Sequence, residues 1–211
     1  MEPTQIYQQL KEIEDQLGAY GLNKDKLVEV AKRAIAAGRD ATPNHPSNAP
    51  GTFSYQEGTR ALRDLFLNED WTRDSKDGIE SIYNKSLNIK VVFQNVDIAC
   101  DIDRLPKSRS AKGKGSERAC EGNLSSLFDN LPHFASLQAP ELVKTFYLMV
   151  SENGTDVRVE LSRPVIINNT FSSYIERIFI VKEGEWESAV IEPMLDDNSI
   201  PDFDVEVTRK T

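Results

Sequence analysis

Three aspartates, Asp97, Asp101 and Asp103, stand just ahead of a run of cations, Arg104, Lys107, Arg109, Lys112, Lys114 and Arg118. Clustered carboxylates are the ligands that Mg2+ or Mn2+ prefers, and a metal beside a basic loop is the equipment of a phosphodiester-cleaving enzyme. On an extended strand reaching Ile102, the three carboxylates share one face while Val96, Ile98 and Cys100 take the other. Lys107 or Arg109 would then stabilise charge developing on a phosphoryl group. Against this, no Glu-x-Lys follows on a later strand, and alternating acids are ordinary on a solvated strand face. A metal-dependent nuclease or phosphohydrolase is therefore the alternative reading, and the leading one needs no cofactor.

The basic loop itself, residues 104–118, holds those six cations, one acid and no aromatic side chain. Each cation that neutralises a phosphate releases counterions, so the loop suits a salt-sensitive grip on nucleic acid or a nucleotide, yet it has nothing to stack on bases. Gly113-Lys114-Gly115-Ser116 lacks the spacing of a Walker loop. The expectation is a flexible, solvated loop and, as a second alternative, a nucleic-acid binder.

The C-terminal part reverses the charge. Glu183, Glu185, Glu187, Glu192, Asp196, Asp197, Asp202, Asp204 and Glu206 lie in a stretch without one Lys or Arg, so residues 183–206 carry a charge equal to the −9 of the whole chain. Trp186 and Phe203 offer apolar anchors among the acids. Charge interleaved with anchors is what a docking surface for a basic partner needs. The leading reading is a non-enzymatic binding or regulatory protein that docks a cationic protein through this surface, one candidate role being inhibition of a nucleic-acid-handling protein. A solvated edge that keeps strands from aggregating is the plain competitor.

The elements that must position these groups are legible from periodicity. Ile6, Leu10, Ile13 and Leu17, then Leu27, Ala31, Ala34 and Ile35 after an Asn23 cap, predict a helical hairpin. A second copy of the chain is one conceivable partner for its apolar face, and intramolecular packing is the other. Residues 40–51, with three prolines, predict an exposed connection. Ser54 and Glu57 make a capping box for a third helix in which Gly58 allows close approach to a neighbour. Beyond a polar stretch at 71–78, Ile89, Val91 and Phe93 alternate, as do Val96, Ile98, Cys100 and Ile102. The change of parity at Gln94-Asn95 demands a bulge or turn. Asn153-Gly154 between two apolar runs predicts a hairpin. Strands are expected at 174–182 and 203–208, and a short helix at 125–131.

These elements place the chain in the α+β class, with a helical region over residues 1–70 and a β-rich region over 71–211 built on a mainly antiparallel sheet, as two parts or one continuous domain. The chain has 211 residues, 39% of them hydrophobic, and can bury a core without staples. No apolar run approaches the ~18 residues of a membrane span, and no charged-then-apolar leader is present, so a soluble, cytoplasmic protein with no membrane partner is expected. Cys100 and Cys120 form no CxxC, and His45 and His133 have no companions at ligand or triad spacing.

Overall fold

The computed structural model describes residues 3–110, 112–126 and 143–191. Strands β1 (Gln5–Tyr7), β2 (Trp71–Asp74), β3 (Ser81–Asn84), β4 (Ile89–Asn95), β5 (Lys144–Asn153), β6 (Asp156–Ile167) and β7 (Thr170–Val181) form one sheet in the order β1-β7-β6-β5-β4-β3-β2. β2-β3-β4 and β5-β6-β7 are antiparallel meanders. They meet where β4 runs parallel to β5, and β1 adds in parallel to β7. The α+β class holds, and the sheet is mixed rather than purely antiparallel, four of the six pairings between these strands being antiparallel and two parallel. A parallel neighbour needs a long crossover, which the connection between β4 and β5 supplies.

Helices α1 (Leu10–Ala19), α2 (Lys24–Arg39) and α3 (Ala49–Phe66) cover one face. Their buried residues, among them Leu17, Leu27, Ala31 and Leu62, share one core with Val91, Phe93, Phe146, Leu148, Leu161 and Ile178 of the sheet. The helical region and the β-rich region therefore contribute to the same core. Alternate residues Val92, Tyr147 and Met149 face the other way, under the crossover and its short helices α4 (Lys114–Ala119) and α5 (Glu121–Ser126). A last short helix, α6 (Trp186–Ile191), follows β7.

Several local expectations hold for the anticipated reason. Asn23 caps α2, its side chain accepting the Lys26 N–H at 3.0 Å. A Cβ on Gly58 would lie 2.5 Å from the Phe93 ring, so only glycine lets α3 press this closely on β4. Gly154, at φ +63°, turns β5 into β6.

Others need correction. Ile6 belongs to β1, and α1 starts at Leu10. Helix α3 begins five residues before Ser54, because Pro50 is tolerated in a first turn whose N–H has no intrahelical partner. Ser54 is instead buried inside the helix, its hydroxyl donating to Asn95 Oδ1 at 2.9 Å. The polar stretch at 71–78 hides β2, whose Trp71 is buried. β4 ends at Asn95, so the second alternating run, 96–102, is loop. The helix expected at 125–131 falls on α5 only as far as Ser126, and 127–131 lie outside the described residues, as does the strand expected at 203–208. No helix among the described residues is long and apolar enough to cross a membrane.

Candidate functional site

The loop that leaves β4 is fastened by the second face of the sheet. Glu160 and Arg177, on neighbouring strands β6 and β7, form an ion pair at 2.7 Å with side-chain exposures of 0% and 1%. Ser162 donates to Glu160 Oε1 at 2.7 Å, and Arg177 is flanked by the rings of Tyr174 and Phe179. The remaining capacity of the pair goes to the loop. The Cys100 N–H donates to Glu160 Oε2, and Arg177 donates to the Asp101 carbonyl at 2.7 Å. Cys100 takes φ +54° there, and Tyr174 donates to the Pro106 carbonyl at 2.7 Å. Nothing in the periodicity marked Glu160 or Arg177, because a buried charge is conspicuous only once its partner across the sheet is known.

This fastening changes the role of the three aspartates. With no strand beneath them, they do not share a strand face. Asp97 Oδ1 accepts the N–H groups of Ile98 and Lys107, and Asp101 Oδ1 accepts those of Asp103 and Arg104. Asp97 and Asp101 thus serve as turn-forming acceptors. Among the described residues no group of three His, Cys, Asp or Glu side chains converges as a metal site.

The basic loop is likewise more ordered than expected. Lys112 is buried, its ammonium 5.2 Å from the centroid of Tyr147 and 5.0 Å from that of Phe171, and it donates to Gln94 Oε1. Burial pulls its pKa down to about 8. Arg118 pairs with Asp77 at 2.8 Å, and Arg104 lies 3.9 Å from Asp97. Lys107, Arg109 and Lys114 have no carboxylate partner among the described residues. Cys120 is buried and Cys100 half-buried, both as free thiols, and burial raises the pKa of each, that of Cys120 to about 12.

Arg109, exposed to solvent, lines a cleft and has no carboxylate partner among the described residues there. Its Nε donates to the Val96 carbonyl at 3.2 Å and one terminal nitrogen to the Glu152 carbonyl at 3.4 Å, which fixes the guanidinium without neutralising it. The Glu152 carboxylate is engaged by Arg39 at 2.7 Å. Across from Arg109 lies the first turn of α3, tied to β4 by Asn95, which accepts from Ser54 and donates to the Gly51 carbonyl at 3.1 Å. The space between them, about 550 Å³, is lined by Ser47, Pro50, Thr52, Tyr55, Gln94 and Arg109 and by further polar neighbours, none of them acidic. In a chain with 34 acids, a cleft free of carboxylates has a distinct electrostatic character. The positive end of the α3 dipole adds to the Arg109 charge.

Two other clefts differ. One, of about 330 Å³ beside α4 and α5, contains Lys90 and Arg118, but Asp74 holds Lys90 at 2.6 Å and Asp77 holds Arg118. The other, about 310 Å³ between α1, α2 and α6, mixes Lys24 and Lys182 with Asp25 and Glu185.

The acidic segment is described only as far as Ile191. Trp186, expected as an anchor for a partner, packs partly buried against this protein's own core. Glu183 pairs with Arg158 at 2.9 Å and Glu185 with Lys182 at 3.2 Å, while Glu187 is exposed. Glu192, Asp196, Asp197, Asp202, Phe203, Asp204 and Glu206 lie outside the described residues, as does His133. His45 holds the turn before α3, accepting the Thr42 N–H at 2.9 Å and meeting the Phe53 ring edge-on. Comparison with known proteins finds no match to the chain, whether among family models, curated proteins or solved structures.

Proposed function

We propose that this protein binds an anionic, phosphate-bearing ligand in the cleft between the first turn of α3 and Arg109. The observation that carries the reading is a cleft of about 550 Å³ that contains an arginine without a carboxylate partner and no acid in its lining, within a chain of net charge −9. The volume falls in the ~300–1,000 Å³ range typical of small-molecule sites. A guanidinium already anchored by two backbone carbonyls is preorganised to receive a phosphate oxygen. This narrows the role expected of the basic loop from six cations to one, with Lys107 and Lys114 contributing long-range attraction. Addition of inorganic phosphate or pyrophosphate to isotopically labelled protein should move the amide resonances of residues 47–55, 94–95 and 109–110. Shifts scattered over the surface, or none in these segments, would sink the proposal.

A second proposal keeps residues 183–206 as a docking surface for a cationic protein. Exposed Glu187 and the nine acids of the stretch favour it. Replacing Asp196, Asp197, Asp202 and Asp204 with Asn should slow association with a captured partner and flatten its salt dependence. An unchanged association rate would count against that role.

A further inference from the structure

We infer that the ligand of this cleft is a nucleotide unit, with its phosphate on Arg109 and its base against Tyr55. The inference rests on the anion-binding reading and adds the chemistry of the remaining wall. The isolated basic sequence lacks an aromatic side chain, but the fold supplies one from α3. Tyr55 lines the same cleft as Arg109 and is 37% exposed, so part of the residue is open to a ligand there. Burial first, then the Glu80 carboxylate, raises its pKa, so the phenol keeps its proton as an ordinary tyrosine does, and a neutral aromatic ring is the group on which a base stacks. Gly51, in the first turn of α3, and Tyr55 lie about one helical turn apart and line the same cleft as Arg109. An added Cβ on Gly51 would meet nothing within 4 Å, which leaves the backbone there open to close approach.

Polar groups suited to a sugar or base edge surround this axis. Ser47, Asn48 and Ser110 line the cleft, and their side chains make no hydrogen bond to another described residue. The floor is rigid. Gln94 donates to the Asn95 carbonyl at 2.7 Å and to Ser108 at 3.2 Å while accepting from buried Lys112. A fixed floor, one ring, one cation and several unengaged hydroxyl or amide groups match a nucleotide better than a bare oxyanion, which would leave the Tyr55 wall empty.

The test titrates the full chain with ribose 5-phosphate, with adenosine and uridine monophosphates, and with a labelled short single-stranded oligonucleotide. Nucleotides should bind roughly tenfold more tightly than ribose 5-phosphate. Tyr55→Leu should erase that difference, Tyr55→Trp should keep it, and Arg109→Ala should weaken every phosphate ligand by about tenfold or more. Tighter, salt-dependent binding of the oligonucleotide identifies single-stranded nucleic acid as the source of the unit, and equal affinity identifies the free nucleotide; both support the inference. If ribose 5-phosphate binds as tightly as the nucleotides, the inference falls while the anion-binding reading stands. If no phosphate compound binds, or Arg109→Ala changes nothing, both fall.

Discussion

Gly58→Ala tests whether the contact between α3 and β4 is as close as the geometry requires. In an ordinary helix interior this change stabilises by about 1 kcal/mol, because alanine has the better helix propensity. Here the new methyl would meet three atoms of the Phe93 ring at 2.5–2.6 Å, where ordinary contact begins at 3.4 Å. Phe93 is fully buried, so its ring has no solvent to retreat into. Forcing about 1 Å of separation belongs at the upper end of the ~1–3 kcal/mol that overpacking costs. Subtracting the propensity gain leaves a net loss of about 2 kcal/mol. With a urea slope of about 2–3 kcal/mol/M, the unfolding midpoint should fall by about 0.7–1 M. Phe93→Leu in the same chain should absorb the methyl, making the double variant more stable than the two single effects would sum to. Tyr55 precedes Gly58 by less than one turn, so the displaced helix should also weaken ligand binding in the cleft. A Gly58→Ala midpoint equal to or above that of the parent would refute the reasoning.

Three further outcomes follow from buried polar groups. Glu160→Gln leaves Arg177 charged and buried without its counterion, and should cost about 3–5 kcal/mol in chemical denaturation while accelerating hydrogen exchange at residues 100–104; the double change to methionines should cost less than the single one. Asn123, fully buried, bridges Thr145 on β5 and the Pro164 carbonyl on β6 at 2.7–3.1 Å, so Asn123→Ala should lose about 3 kcal/mol by the same assay. Lys112 makes stability depend on pH with a definite sign. Its folded pKa of about 8 lies below the ordinary value of 10.5, so the unfolded chain binds more protons between these limits and stability should rise with pH there. The shift corresponds to about 3 kcal/mol across the full window. The buried Cys and Tyr groups, whose raised pKa values act in the opposite direction, take over above pH ~9, so the rise is best measured from pH 7.5 to 9. Lys112→Met should remove it, and a parent stability that is flat or falling over that interval would contradict the burial of a charged amine.

What the sequence determined by itself was local and periodic. Leu27, Ala31, Ala34 and Ile35 recur at helical spacing because one face of α2 must be apolar, and Asn23 precedes them because its side chain can satisfy a first-turn N–H. Asn153-Gly154 marks a hairpin because glycine accepts positive φ. Gly58 was readable as a close approach, though not what it approaches. The tertiary structure alone decided the rest. Periodicity contains no information on strand order, so the parallel junction of β4 with β5 could not be seen in it. Period-two alternation resumes past Asn95 in the opposite parity, yet the chain leaves the sheet there, and the Glu160–Arg177 pair holds Cys100 and Asp101 on the sheet's face. Charges read as a solvated basic loop were separated by burial and pairing into an interior Lys112, a paired Arg118 and an uncompensated Arg109. Tyr55 and Arg109, fifty-four positions apart, line one cleft only because α3 is pressed against the end of β4. Local propensity acts over a few residues, whereas a binding site is an agreement between distant ones, enforced by packing.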